Sequence, residues 1–305
     1  MARLLPTALV LALLCGTAAA FAVTEHLKLE RSPILATRVD KVFSPVCRCR
    51  RSRARIGFRL RHPDRLTLAV VDSAGKVVRT VVRSESVRRG FHEFTWDGRD
   101  DNGHVLPQGS YKPRVHLARA HRTILLPNPI ALDTGPPSIF LVSVRPRVFS
   151  PDGDYRRDYL NVGFRATEPV RALLLVRGKL RVRERRFRAV GVFHWYAPRG
   201  LPAGRYRLTL RAEDRAGNAG PQTRPQIVVV RYVRLARHVI RVRAGARFVV
   251  GVSTDARFYH WRIGYRSGRG RSRRLALRAP VPGRYQLVVS ERGHRDSATL
   301  IVGAP

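Results

Sequence analysis

Between residues 56 and 115, apolar and polar side chains alternate with a period of two. Ile56, Phe58 and Leu60 form one such set, and Leu66, Leu68 and Val70 a second. The runs Gly75-Lys-Val-Val-Arg-Thr-Val-Val-Arg83 and Gly90-Phe-His-Glu-Phe-Thr-Trp96 continue the pattern. Successive side chains of a strand face opposite ways, so this alternation predicts half-buried β-strands. Asp97-Gly98 and Asn102-Gly103 then mark turns, and Leu106-Pro107-Gln-Gly109-Ser-Tyr111 leads into a last strand ending near Val115. Glycine tolerates the positive φ of such turns, while Asn and Asp bond their own backbone. Short turns between period-2 segments require antiparallel pairing. Pro127, Pro129, Pro136 and Pro137 cannot donate to a central ladder and suit a module boundary.

The same series then recurs. Phe149-Ser150-Pro151 matches Phe43-Ser44-Pro45, Leu160-Asn-Val162-Gly-Phe164 matches the Ile56 strand, and Ala172 to Val176 matches the Leu66 strand. Gly191-Val-Phe193-His194-Trp195 answers the stretch ending in Trp96, and Leu201-Pro202-Ala-Gly204-Arg-Tyr206 answers the one ending in Tyr111. A third unit from about Tyr232 keeps only the ending, as Val281-Pro282-Gly283-Arg-Tyr285. A repeated period of this size is one supersecondary unit copied in tandem. The expected class is all-β, three tandem β-sandwiches at residues 43–135, 136–231 and 232–305, the last degenerate. Residues 24–42 read as a mixed-charge spacer. Tyr111, Tyr206 and Tyr285, each opening a strand after a glycine, are expected to turn their hydroxyls back onto the backbone at a sandwich corner. Trp96, Trp195 and Trp261 are expected to pack in cores or hairpins.

The amino terminus changes the picture. Arg3 precedes an apolar run from Ala8 to Val23, with Ala18-Ala19-Ala20 as a small-x-small site. Residues 1–23 therefore read as a cleaved signal peptide, or, counting Leu4 and Leu5, as an uncleaved transmembrane anchor. Either reading places the chain outside the cytoplasm. With 59 Lys and Arg against 21 Asp and Glu, the net charge is +38, nearly all from arginine. Arginine-rich coding bias and attraction to a polyanion both account for it. Three cysteines exclude a disulfide-dense scaffold.

Asp72-x-x-Gly75-Lys-Val-Val-Arg79-Thr, Phe94-x-Trp96-Asp97-Gly98-x-Asp100-x-x-Gly103 and Pro107-x-Gly109-x-Tyr111 resemble the immunoglobulin-like domain of the flagellar hook-capping protein FlgD and its secreted relatives. The second module is similar but lacks the Asp-Gly turn after Trp195. The resemblance implies immunoglobulin-like sandwiches used as accessory modules of exported proteins. It does not imply a flagellar hook-cap role, whose rod-docking region has no counterpart in the residues that match.

Asp152, Asp154 and Asp158 lie at spacing 0, 2 and 6 on a turn. They could converge oxygens on Ca²⁺, or form a charged turn neutralised by Arg156 and Arg157. Asp97, Asp100 and Asp101 are explained by the hairpin turn. Cys47 and Cys49 read either as a local disulfide or as free or intermolecular thiols, and with no Cys or His pair nearby they make no zinc site. Arg266, Arg269, Arg271, Arg273 and Arg274, interleaved with Ser and Gly, read as an exposed anion-binding loop, since guanidinium binds phosphate bidentately. No nucleophile elbow, His-Glu-x-x-His or phosphate-binding loop occurs.

The expected function is therefore a non-enzymatic, exported cell-envelope protein without a cofactor. Its role would be structural or adhesive, with basic loops on anionic envelope polymers or lipid headgroups, or on another envelope protein. Nucleic acid is not an expected partner. Two alternatives are an accessory or targeting subunit of a separate exported enzyme and a calcium-dependent adhesion module.

Overall fold

The computed structural model describes residues 10–21 and 32–305. Residues 10–21 are helical, and no helix among the described residues is long and apolar enough to cross a membrane. Arg3, Leu4 and Leu5, invoked for an anchor, lie outside the described residues, as do residues 24–31 of the spacer. The other described residues are strand, turn or extended connection, and the fold is all-β.

The chain divides into two compact units, Met1–Thr134 and Gly135–Pro305. The first holds β1 (Ile34–Val39), β2 (Val42–Phe43), β3 (Ala54–Leu60), β4 (Asp64–Val71), β5 (Val77–Val87), β6 (Gly90–Trp96), β7 (Gly109–Leu117), β8 (Arg122–Leu125) and β9 (Ile130–Leu132). One sheet runs β1-β3-β6 and the other β2-β9-β7-β4-β5, with β8 paired to β7. Residues 34–39, read from sequence as spacer, are instead an edge strand on β3. The inward positions of the alternating pattern meet between the sheets. Ile56, Phe58, Leu66, Leu68 and Val115 are fully buried, each contributing about 1.5–3 kcal/mol of transfer free energy as an upper estimate.

The second unit opens with β10 (Ile139–Arg145), β11 (Val148–Phe149), β12 (Tyr159–Val176), β13 (Lys179–Arg183), β14 (Arg188–Tyr196), β15 (Gly204–Glu213) and β16 (Gln226–Val230). Here β12 replaces both β3 and β4. Its first half pairs with β10 and β14, and its second half with β13 and β15. The rest repeats the first unit closely. β2 pairs in parallel with β9, and β11 in parallel with β16. Phe43 packs on Trp96 with ring centroids 5.2 Å apart, and Phe149 on Trp195 at 5.7 Å.

The third module holds β17 (Arg234–Leu235), β18 (Val239–Arg243), β19 (Arg247–Ser253), β20 (Tyr259–Ile263), β21 (Arg266–Gly270), β22 (Arg274–Arg278), β23 (Gly283–Glu291) and β24 (His294–Gly303). Its sheets are β17-β19-β22 and β18-β24-β23-β20-β21, around Leu287, Val289, Leu300 and Tyr259. The two modules of this unit meet where Tyr232, its ring in the second core, stacks on His294 at 3.4 Å between centroids and 2° between planes.

All three corner tyrosines turn back as expected. The hydroxyls of Tyr111 and Tyr206 donate to the carbonyls of Pro107 and Pro202 at 2.8 Å, and that of Tyr285 to Val281 at 3.1 Å. Each bond spans four residues and holds the entry to its strand.

Candidate functional site at the junction of the second and third modules

The loop from Ser150 to Asp158 is wound around its own carboxylates. Asp158 accepts from the backbone N–H of Gly153 at 2.8 Å and of Tyr155 at 2.7 Å, using both oxygens. Asp152 Oδ1 accepts from Asp154 N–H at 3.1 Å, and Asp154 Oδ1 from Arg156 N–H at 2.7 Å. Gly153, at φ +83°, gives the loop its left-handed step, a conformation that costs glycine little. Ser150 N–H closes the loop on Arg157 C=O at 3.1 Å.

The equivalent loop of the first unit closes identically, Ser44 N–H on Arg51 C=O at 3.0 Å. Its Cys47 and Cys49, at the place of the acidic Asp152-Gly-Asp154, are joined by a disulfide. One loop position is thus held by a covalent link in one module and by carboxylates in the next.

Ligand groups within 4.8 Å of one another come from Asp152, Asp154 and Asp158, the three residues singled out from sequence. Two further acids, missed by sequence reasoning, reach the same loop from the third module. Asp255 follows β19 and receives a hydrogen bond from Ser150 Oγ on its Oδ2. Glu291 ends β23, only 5% exposed. Asp255 gave no sequence signal. Glu291 did, because Leu287, Val289 and Glu291 share the inward face of a period-2 strand, where an acid is anomalous.

The electrostatics reflect this crowding. Burial pushes the Glu291 carboxyl up to about 8, with the Asp152 and Asp154 carboxylates adding to it. Burial likewise raises Asp255, and raises Asp154, with the charges of Asp152, Asp255 and Asp158 adding to it. Desolvation and like charge both disfavour ionisation of a carboxyl group.

The arginines do not simply neutralise these acids. Arg156 Nη1 donates to the backbone carbonyl of Asp255 at 3.0 Å, and Arg292 Nη1 to that of Asp152 at 3.4 Å. Arg292 Nε lies 3.6 Å from Glu291 Oε1.

Beside the acids, a cavity of about 900 Å³ is lined by Arg156, Arg157, Arg257, Arg269, Arg271 and Arg273, with Asp255, Phe258 and Tyr259. Arg269 lies over the Phe258 ring, 4.3 Å from its centroid, a cation–π contact that orients the guanidinium. The structure thus brings three of the five sequence-predicted arginines together with three others. Arg266 and Arg274 lie outside this cavity, and Arg266 Nη1 is bound to Arg278 C=O at 3.0 Å. The segment is also not a free loop: residues 266–270 form β21, paired along β20, and Arg274 opens β22.

In the first unit, the Asp97 to Asp101 cluster serves its turn. Asp100 Oδ1 accepts from His104 and Asn102 N–H at 2.8 and 2.9 Å, which holds its carboxyl below the ordinary range, and Asp101 Oδ1 accepts from Thr80 N–H at 3.0 Å.

The family model of the FlgD Ig-like domain matches residues 51–120. The basal-body rod modification protein FlgD of Salmonella typhimurium is 45% identical over 56 residues, covering 18% of this chain and 24% of that protein. FlgD of Escherichia coli is 44% identical over 52 residues, covering 17% and 22%. The chain therefore spans about a quarter of the length of the curated relatives it matches. Among solved structures, fibronectin(III)-like modules of Clostridium thermocellum CbhA align over 64% of this chain and 93% of theirs, at 14% identity and a TM-score of 0.35. The titin I9–I11 tandem aligns over 89% of this chain and 99% of its own, at 10% identity and a TM-score of 0.33.

Proposed function

For a chain that carries a FlgD-type immunoglobulin-like domain within an all-β tandem, we propose a non-enzymatic binding role outside the cytoplasm, exercised on an anionic polymer of the cell envelope. The observation that carries this reading is the convergence of six arginines from the loop before β12, the loop before β20, and the β21–β22 region on one cavity. Arginine presents a planar fork that matches phosphate and carboxylate oxygens in pairs, and it is always charged. The cavity, of about 900 Å³, carries Phe258, 42% exposed, as an apolar surface beside the cations. The net charge of +38 adds long-range attraction to any polyanion. The apolar run at the amino terminus supports export.

Binding of the purified protein to polyphosphate and to vesicles rich in anionic phospholipid tests the reading. The combined variant Arg269→Ala, Arg271→Ala, Arg273→Ala should lose at least tenfold in affinity for one of these probes. A triple substitution elsewhere, at Arg59, Arg83 and Arg122, should cost far less. Equal losses from the two triple variants would reduce the effect to net charge and overturn the assignment of the cavity.

A further inference from the structure

We infer that the junction binds one calcium ion on the Asp152, Asp154 and Asp158 loop, with Asp255 and Glu291 supplying further oxygens from the third module, so that a cation joins the second and third modules. The inference is independent of anion binding by the neighbouring cavity.

Among the described residues, only five buried side-chain polar atoms lack a hydrogen-bond partner. Three of them are carboxylate oxygens of this cluster: Asp152 Oδ2, Asp255 Oδ1 and Glu291 Oε2. Glu291 is more than nine-tenths buried. Buried carboxylate oxygens without donors are costly, and several together are more so, unless a proton or a cation lies among them. Glu291 and Asp152 are close enough to share a proton, and a cation would take its place. The remaining oxygens are spent in a consistent direction. Asp152 and Asp154 each use Oδ1 on the loop backbone and Asp255 uses Oδ2 on Ser150, leaving one oxygen of each for another partner. Asp158, with both oxygens on backbone N–H groups, shapes the loop and keeps an oxygen within 4.8 Å of those of Asp152 and Asp154, each oxygen retaining a second lone pair.

The donor chemistry selects the ion. All the free groups are carboxylate oxygens, with no sulfur and no imidazole among them, which suits a hard cation. Calcium takes six to eight oxygens in flexible geometry, whereas magnesium demands a near-ideal octahedron. Ligands contributed by a loop, by the second residue after β19 and by a strand end fit the more tolerant ion. The positive charges of Arg157 and Arg292 act on Asp255 and Glu291 respectively and offset part of the negative charge that the carboxylates would leave around a divalent ion.

Calorimetric titration of the chelator-treated full chain with CaCl₂ tests the inference, alongside its thermal unfolding. The expected result is one-site binding with a dissociation constant of about 0.1–1 mM or tighter, a raised unfolding midpoint, and weaker binding of MgCl₂. Glu291→Gln and Asp255→Asn should each weaken calcium binding about tenfold or more, while Asp100→Asn leaves it unchanged. No calcium binding with an unmoved midpoint would overturn the site. Unchanged affinity in both Glu291→Gln and Asp255→Asn would overturn its inter-module character. If a variant fails to fold, limited proteolysis of the wild-type junction at residues 231–238 decides. Cleavage slowed by calcium supports the clamp, and cleavage at the same rate with calcium or chelator contradicts it.

Discussion

Ser150 Oγ donates a hydrogen bond to Asp255 Oδ2, a residue 105 positions further along the chain and in the following module. Ser150 is fully buried, and it opens the loop that carries Asp152 and Asp154. One serine therefore fixes the acidic loop of one module against a loop of the next that also contributes to the arginine-lined cavity. Its counterpart Ser44 opens the disulfide-closed loop of the first unit, and Ser44 Oγ is without a hydrogen-bond partner among the described residues. The two loops share a backbone closure and differ in what their side chains are placed to do.

Replacing that serine should loosen the junction without unfolding either core. Ser150→Ala removes a hydrogen bond to a charged acceptor, worth about 1.5–3 kcal/mol. It also removes the side-chain donor that Asp255 Oδ2 has in the wild type. The expected outcome is faster proteolysis at residues 231–238 with an unchanged far-ultraviolet circular dichroism spectrum.

The tyrosine corners make a graded prediction. Tyr111→Phe and Tyr206→Phe each remove one bond from a buried ring and should cost about 1 kcal/mol in the unit that holds them. Tyr285 is only half-buried, so Tyr285→Phe should cost less. Denaturant unfolding of each variant, followed separately for the two units because a chain of this kind need not unfold in one step, checks the order.

Gly220→Ala should be the most damaging small substitution in the second unit. A Cβ on Gly220 would stand 1.8 Å from the backbone carbonyl oxygen of Pro137. Neither atom belongs to a movable side chain, so the two backbone segments must move apart. A loss of about 3 kcal/mol or more in the second unit is expected, at the upper end of overpacking costs. The first unit's transition should stay where it is in the same thermal scan.

Alkaline pH should act through Tyr232. Burial, with the Asp152 charge and Tyr206 adding to it, pushes its phenol from 10 up to about 12. The folded protein therefore holds the neutral form that the unfolded chain would lose earlier. That contribution is fully present below pH 10 and is lost as pH rises through about 12. Tyr232→Phe removes the titration, so the second unit of this variant should lose less stability than wild type between those limits. Thermal midpoints measured across this range check the sign.

Much of the fold is legible in the residues because strand physics is local. Period-2 alternation, turn glycines and the Pro-x-Gly-x-Tyr endings fix strands and corners without knowledge of partners. The edge strand at residues 34–39 is not legible, since only Ile34 of its side chains is buried and the segment has no alternating pattern to set it apart from the mixed-charge spacer. The continuity of β12 through Glu168-Pro169 is hidden by a proline that ordinarily ends a strand. At the site, Asp152, Asp154 and Asp158 are readable because one turn holds them. Asp255 and Glu291 arrive through tertiary pairing, and the arginine cavity draws on three segments more than 100 residues apart at the extremes. Spacing along the chain carries no trace of such convergence, although the inward position of Glu291 did mark it as a residue needing a partner.

Sedimentation with isolated envelopes of the host tests the binding role most directly. Protein lacking residues 1–31, and so free of any amino-terminal tether, would be mixed with envelopes and washed at low salt and then at about 1 M salt, where screening shortens to about 3 Å. The account predicts retention at low salt, release at high salt, and little retention of the Arg269→Ala, Arg271→Ala, Arg273→Ala variant under either condition. Protein that stays in the supernatant at low salt, or stays bound through the 1 M wash with those arginines removed, would contradict it.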